Sequence, residues 1–430
     1  MELLAEHPSP LADLPGELAG LPTPAYVYDL AEVRRNHRRL DEALPEGTGL
    51  LYSLKANPHP DVLATLREAG ARPEVCSSGE LRAALDAGWA GEQVLYTGPA
   101  KRDAEIAAAL RAGVREFSVD SPYAITQLDR LAGEAGVHAR YLLRVNDDQP
   151  VPGQGLAMTG VPSQFGADTG WILAEPARFA GGAHAEASGL HLYMGTNLTQ
   201  VDDLLGQFGR ALDTATRLQE ALAAHGVRFR TLDLGGGFGA PFAKEGTAGE
   251  LPGLREGLET LLGEKVPGWR EQGPEVVFES GRYLVGTAGT LVTAVLDVKR
   301  SQGKDIVVLE SGINHLGGMS GMRRLPPLNP HLLGPAGPPA LDALVAGPLC
   351  TPLDTWTRNG KLPDLSPGDL VAVPNVGAYG LYASLIAFLG HPLPAEVVVD
   401  GDRPGTPART SRVELVRTTT VTDPATADPK

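Results

Sequence analysis

LYSLKANPHPDVLATLREAGARPEVCSSGELRAALDAGWAGEQVLYTGPAKRDAEIAAALRAGVREFSVD, residues 51–120, decides the fold. Four short β-type runs recur in it about every 22 residues: LLYSLK with its core at 51–55, RPEVC at 72–76, QVLYTG at 93–98 and EFSVD at 116–120. The segments between them, such as VLATLREAG and EIAAALRAG, carry apolar residues at helical spacing and close on glycine. A run of period two, a helix, a glycine turn and the next run make a repeating unit that buries its apolar sides only in a parallel sheet wrapped by helices.

Four more runs extend the pattern: RYLLRV at 140–145, GLHLYMG at 189–195, TLDLGGG at 231–237 and EVVFESG at 275–281. Eight strand–helix units predict an α/β protein built on a (β/α)8 barrel. A longer insertion, about residues 147–186, follows the fifth strand and carries SQFGADTG, consistent with an elaborated loop on the active face. Beyond Arg282 the β-runs YLVGTAGTLVTAVLDVKR, DIVVLES, DLVAVPNVGAYG and AEVVVDG follow without long helices, which predicts a C-terminal β domain. The expected division is an N-terminal segment 1–28 joining the β domain, a barrel over 29–282, a β domain over 283–415 and a disordered tail over 416–430. RRLPPLNPHLLGPAGPPA at 323–340 reads as a surface loop within the β domain.

Composition narrows the function. The 430 residues carry 37 basic and 52 acidic side chains, a net charge of -15 that repels nucleic acid and anionic membrane and favours a small-molecule partner. Two cysteines, Cys76 and Cys350, are too few for a disulfide framework and lack zinc-site spacing, so no metal is expected. The N-terminus has acidic residues and prolines where a secretory signal needs a basic start, and no run reaches the roughly 18 apolar residues of a membrane span. The expectation is a cytoplasmic protein.

Polar residues at the C-terminal ends of barrel strands face the pocket. Here they are Lys55, Glu74, Arg144, His191 or Tyr193, Gly235 to Gly237, and Glu279 with Arg282. An enclosed lysine can lose its proton and attack an aldehyde, whereas a solvated one only snorkels. Three successive glycines after an apolar strand can turn amides toward a phosphate, or form a plain tight turn. GGGFGAPF runs into Pro241 instead of opening a helix, which weakens a dinucleotide reading. Glu279 and Arg282 place a carboxylate and a guanidinium beside that turn, for ligand or for mutual pairing.

The ordered motifs YSLKANP (52–58), EVCSSGEL (74–81), SQFG (163–166), GLHLYMGT (189–196), LDLGGGFG (232–239), ESGR (279–282), GPLC (347–350) and GAYG (377–380) resemble the fold-type III pyridoxal-phosphate decarboxylases, the group of diaminopimelate, ornithine and arginine decarboxylases. The resemblance spans roughly residues 25–400 and implies an alanine racemase-like barrel with a C-terminal β domain. It implies pyridoxal 5'-phosphate as cofactor, an internal aldimine on Lys55, phosphate contacts from Gly235, Gly236, Gly237 and Arg282, and a hydroxyl from Tyr379 at the phosphate or the ring. By the same resemblance Glu279 meets the pyridine nitrogen, a carboxylate that keeps the ring protonated and electron-accepting. Cys350 looks like the proton donor to the carbanion, reaching the other subunit's site in a head-to-tail homodimer; a core cysteine is the bland alternative.

Departures bear on the substrate. Tyr193 stands where the family places a histidine on the cofactor face, and His191 lies two residues earlier; Glu74 replaces an aspartate. Diaminopimelate decarboxylases commonly follow the cysteine with an acidic residue and place a tyrosine after a Met-Arg pair, but here Thr351 follows Cys350, and Met322-Arg323 leads into Arg324, Leu325 and Pro326. The first reading is a diaminopimelate decarboxylase-like enzyme. GPLCTPLD is also similar to relatives acting on carrier-protein-bound or citryl-linked amino acids of antibiotic and siderophore pathways. Arg282, Arg323 and Asp354 are the candidate substrate residues, with Arg323 and Arg324 suited to an acidic or phosphorylated end. An amino-acid racemase and a non-enzymatic pyridoxal-phosphate carrier are the alternatives; Glu279 argues against the first, the β domain against the second.

Overall fold

A computed structural model describes residues 20, 22–148, 159–317, 328–335, 337–403 and 405–419. Its strands in chain order are β1 Ala25–Asp29, β2 Gly49–Ser53, β3 Arg72–Val75, β4 Leu95–Tyr96, β5 Glu116–Val119, β6 Ala139–Asn146, β7 Ala167–Asp168, β8 Ala185–His191, β9 Thr231–Asp233, β10 Glu275–Ser280, β11 Gly289–Ser301, β12 Lys304–Leu309, β13 Leu341–Ala346, β14 Thr355–Leu362, β15 Leu370–Val373, β16 Ala395–Val399 and β17 Arg409–Arg412. β2, β3, β4, β5, β6, β8, β9 and β10 pair in parallel, and β5 pairs with β6 while β10 pairs with β2, which closes the ring. The barrel expected from the repeating units is present. The short β7, absent from the sequence reading, lies in the insertion and pairs with β6.

Period two on the strands sorts the barrel interior into layers. Leu51, Leu95, Leu142 and Val277 form an apolar cluster of their own, separate from the large core between sheet and helices. One step toward the strand C-termini the inner face turns polar. Register carries Ser53 beside Glu74, and His191 beside Asp233. The helices cover the outside: α1 Leu30–Ala43 is capped by Asp29, whose side chain accepts from the Ala31 N–H, and α5 Pro122–Glu134 by Ser121 in the same manner. α7 Val201–Ala223 buries Leu204, Phe208, Ala211, Leu212, Ala215, Leu218 and Leu222, the spacing of a single helical face.

The second sheet runs in the order β14-β13-β12-β11-β1-β16-β17, with β15 also paired to β11. β1 lies parallel to β16 and antiparallel to β11, so residues 25–29 belong to the second sheet although they precede the barrel in sequence. Strands β13, β14 and β17 were not foreseen from sequence. β14, TWTRNGKL, is mostly polar, and exposed strand faces erase the apolar signal on which a strand reading depends. No helix among the described residues is long and apolar enough to cross a membrane. The expected tail is described to 419, without helix or strand after Arg412; residues 420–430 lie outside the described set.

Candidate active site

The first site lysine stands just past its strand. β2 ends at Ser53, and Lys55 occupies the short turn Leu54–Ala56 above the barrel interior. Its Nζ donates to Glu74 Oε2 at 3.4 Å. Glu74, 1% exposed at the end of β3, also accepts from the Thr97 hydroxyl and from Cys76 Sγ at 3.1 Å. Burial opposes the charge on both partners. For Glu74 the Lys55 charge and the Thr97, Ser53 and Cys76 donors outweigh it and hold the carboxyl down to about 2. For Lys55 burial favours the neutral amine, but Glu74, then Cys76, Tyr379 and Glu279, lift it well above an ordinary lysine. An enclosed lysine can lose its proton, but beside Glu74 the charged form of Lys55 is favoured.

The glycine turn follows β9. Gly235 and Gly237 have φ of +69° and +95°, the left-handed region in which a side chain is strained. Gly236 is required for another reason: a Cβ there would come 1.9 Å from the Glu279 carbonyl oxygen. A Cβ on Gly235 would meet Tyr193 Cα at 2.9 Å, so the turn lies directly against Tyr193. The carbonyls of Gly235, Gly236 and Gly237 accept from Glu279 N–H, Gln207 Nε2 and Leu198 N–H, at 2.7, 2.6 and 2.8 Å. Phe238 fastens the turn from behind among Phe208, Phe278 and Tyr283, with centroids 5.9, 6.4 and 6.5 Å away. Such aromatic pairs add about 0.5–1.5 kcal/mol each beyond area burial.

Arg282 and Tyr379 meet beside the turn. The guanidinium carbon lies 5.0 Å from the Tyr379 ring centroid and 5.5 Å from that of Phe242. Tyr379, at φ +56°, comes from the second sheet domain, and its N–H donates to Ala56 O at 2.9 Å, one residue past Lys55. Burial raises the Tyr379 hydroxyl, partly countered by Lys55 and Arg282, and burial raises Tyr193 to about 12. Tyr193 lies two residues past the end of β8 at His191.

Below the turn, Glu279, His191 and Asp233 are 2%, 1% and 0% exposed. His191 Nδ1 pairs with Ser118 Oγ at 2.8 Å, and its Nε2 stands 3.2 Å from Glu279 Oε1 without hydrogen-bond alignment. Asp233 Oδ1 accepts from Gly235 N–H at 2.8 Å. His191 Nε2, Glu279 Oε1 and Asp233 Oδ2 make no hydrogen bond. Ligand atoms of these three residues lie within 4.8 Å of one another, a spacing that could also hold a metal ion. Thr97, Ser118 and Asp233 were missed from sequence. The alternation of inner-face residues would have found them, two residues on from Leu95 and two back from Asp120 and Gly235.

Of the remaining candidates, Cys350 and Asp354 belong to the second sheet domain, whereas Arg144 is the register partner of His191 on the neighbouring strand. Cys350 is exposed, on the loop between β13 and β14 in the second sheet domain. Asp354, expected to orient substrate, is 2% exposed, and its carboxylate accepts from Ile313 N–H and Leu349 N–H, both at 2.8 Å. Those bonds make it the organiser of the Cys350 loop. Arg144 lies 4.8 Å from the Phe165 ring, fastening the SQFG loop to the barrel mouth. Arg323 and Arg324 lie outside the described residues.

The residues fit pyridoxal phosphate. A glycine turn packed too closely on neighbouring backbone to take a side chain lies against Tyr193, Arg282 sits over the Tyr379 ring, the Lys55 amine is held on Glu74, and buried Glu279 keeps one oxygen unbonded.

Residues 30–286 match the family model described as pyridoxal-dependent decarboxylase, pyridoxal binding domain. The chain is 31% identical over 382 residues to the L-glutamyl-[BtrI acyl-carrier protein] decarboxylase of Niallia circulans, covering 87% of this chain and 88% of that one. It is 31% identical over 396 residues to the diaminopimelate decarboxylase of Vibrio cholerae, covering 92% and 91%. The crystal structure of Helicobacter pylori diaminopimelate decarboxylase complexed with L-lysine superposes with a TM-score of 0.77 at 25% identity, covering 91% of this chain and 94% of that one.

Proposed function

The chain belongs to the pyridoxal-dependent decarboxylases, and from that premise we propose how its residues divide the reaction and which substrate they fit. Bound here, pyridoxal phosphate supplies the electron sink that accepts the pair left when carbon dioxide departs. Lys55 is the attachment point, and Glu74 fixes where its amine stands. Gly235, Gly236, Gly237, Arg282 and Tyr379 hold the phosphate end. Tyr193 would pack on the cofactor ring, and Glu279 would meet the ring nitrogen and favour its protonated, electron-poor form. Cys350 Sγ delivers the proton that replaces the carboxylate. Its exposure on the second sheet domain suits delivery into a partner subunit's site in a head-to-tail homodimer.

The observation that carries this reading is the convergence, at one end of the barrel, of Lys55–Glu74, the glycine turn, Arg282–Tyr379 and buried Glu279. The substrate is an amino acid, and the loop after Cys350 favours one whose far end is acylated or tethered, as to a carrier protein, over free diaminopimelate. Thr351 follows the cysteine, and the nearby carboxylate of Asp354 is spent on two backbone amides. An ammonium group at the far end of diaminopimelate therefore lacks the acidic partner that the family commonly offers.

Two measurements test this. Borohydride reduction of the purified enzyme should fix the cofactor to Lys55, with no labelling in Lys55→Ala. A carbon dioxide release panel should then compare diaminopimelate, ornithine, arginine, lysine, and citryl-linked or carrier-tethered amino acids. Turnover confined to diaminopimelate would refute the substrate assignment, and labelling elsewhere than Lys55 would refute the site.

A further inference from the structure

Three buried polar groups meet beneath the glycine turn, and ring attachment alone accounts for just one of them. Glu279, His191 and Asp233 come from the adjacent strands β10, β8 and β9 and project into the same upper layer of the barrel. Each leaves one side-chain atom without a hydrogen bond, and those atoms converge. Unpaired polar atoms this deep cost roughly 1–3 kcal/mol each, so a fold that retains three at one point has a use for them.

We propose that His191 and Asp233 are positioning residues, a neutral imidazole and a protonated carboxyl that each donate to Glu279 and aim its carboxylate at the ring nitrogen of the cofactor. This rests on the reading of Glu279 as the ring partner. The neighbouring bonds leave one donor position open on each side. Ser118 Oγ, 2.8 Å from His191 Nδ1, can give its proton to that nitrogen, which leaves Nε2 as the N–H facing Glu279 Oε1 at 3.2 Å. Asp233 Oδ1 is held by the Gly235 N–H, so Oδ2 is the oxygen free to carry a proton. Burial acts in the required sense on both groups. It lowers His191, against the pull of Glu279, and raises Asp233 well above an ordinary carboxyl, with Glu279 adding to the rise. Asp233 also ties the layer to the phosphate end, because the amide it accepts from opens the glycine turn.

The test reads the ring nitrogen directly, by NMR of the holoenzyme loaded with cofactor labelled at that atom. Glu279→Gln sets the resonance of a ring without its partner. His191→Phe and Asp233→Ala should move the resonance toward that position, and neither should move it further in the Glu279→Gln background. Asp233→Asn should stay near wild type, because an amide reproduces the shape and donor of a protonated carboxyl. Ser118→Ala, a smaller change that spares the packing if His191→Phe fails to fold, should give a shift in the same direction. Folded His191→Phe and Asp233→Ala with wild-type resonances would overturn the proposal. So would Asp233→Asn shifting as far as Asp233→Ala, or a stoichiometric divalent metal in the purified protein that is lost on Asp233→Ala. An unmoved resonance in Glu279→Gln would instead remove Glu279 as ring partner.

Discussion

Replacing Gly236 by alanine separates what the glycine turn does for the cofactor from what glycines do for chains generally. The position has no positive φ, so alanine brings no torsional penalty of the kind met at Gly235 and Gly237. The cost is steric. The new Cβ would lie 1.9 Å from the Glu279 carbonyl oxygen, where ordinary contact begins at 3.4 Å, so turn and strand must part by about 1.5 Å. That opening strains the 2.7 Å bond from Glu279 N–H to Gly235 O, worth about 1 kcal/mol, and moves the Glu279 carboxylate relative to the phosphate cradle. Misplacing a positioned group by about 1 Å can cost about a hundredfold in rate. Gly236→Ala is therefore expected to lower turnover at saturating cofactor about a hundredfold, roughly 2.8 kcal/mol of activation free energy, and to weaken cofactor binding, measured by fluorescence titration of the apoenzyme with pyridoxal phosphate.

Gly226→Ala is the matched control. Gly226 has φ +82° with open space around its would-be Cβ, so alanine there meets torsional strain and no clash. It should lower stability by about 1–2 kcal/mol in denaturant while leaving cofactor affinity unchanged. Wild-type affinity in a folded Gly236→Ala, or an equal loss of affinity in Gly226→Ala, would refute the reasoning.

Acid should destabilise the fold through two histidines outside the site. His59, which caps the helix Pro60–Glu68, and His315, bonded to Ser311 and Pro392 O, are both held down to about 4, chiefly by burial, from an ordinary 6.5. The unfolded chain takes these protons near 6.5 and the folded one only near 4, so stability present above 6.5 falls across that window, by roughly 3 kcal/mol per histidine. Urea midpoints against pH should therefore slope less in His59→Gln/His315→Gln than in wild type, and equal slopes would show that neither group matters. Asp354→Asn puts a donor where one of two backbone amides needs an acceptor. It should cost about 1–3 kcal/mol of stability and lower turnover through the Cys350 loop with cofactor affinity intact; an unchanged unfolding midpoint would discount the loop assignment.

What could be read from sequence was whatever period and composition encode locally. The strand runs from Leu51 to Gly281 announce the barrel because they are largely buried and therefore mainly apolar until polar residues appear at their pocket ends. Lys55, the glycines, Glu279 and Arg282 are legible because strand ends face the pocket. What was hidden depends on partners distant in sequence. The charge state of Lys55 is set by Glu74, on the next strand, and Asp354 looks like a ligand until the amides of Ile313 and Leu349 are seen to occupy it. Asp233 shows the limit most clearly. In sequence it is an acidic residue in an apolar strand two positions before a glycine, which any strand register tolerates. Only closure of the ring, with β9 between β8 and β10, brings it beside His191 and beneath Glu279, and converts a local oddity into part of a shared proton layer. Residues whose role is to orient another residue leave no motif of their own, because the constraint on them is a distance across the barrel and not a spacing along the chain.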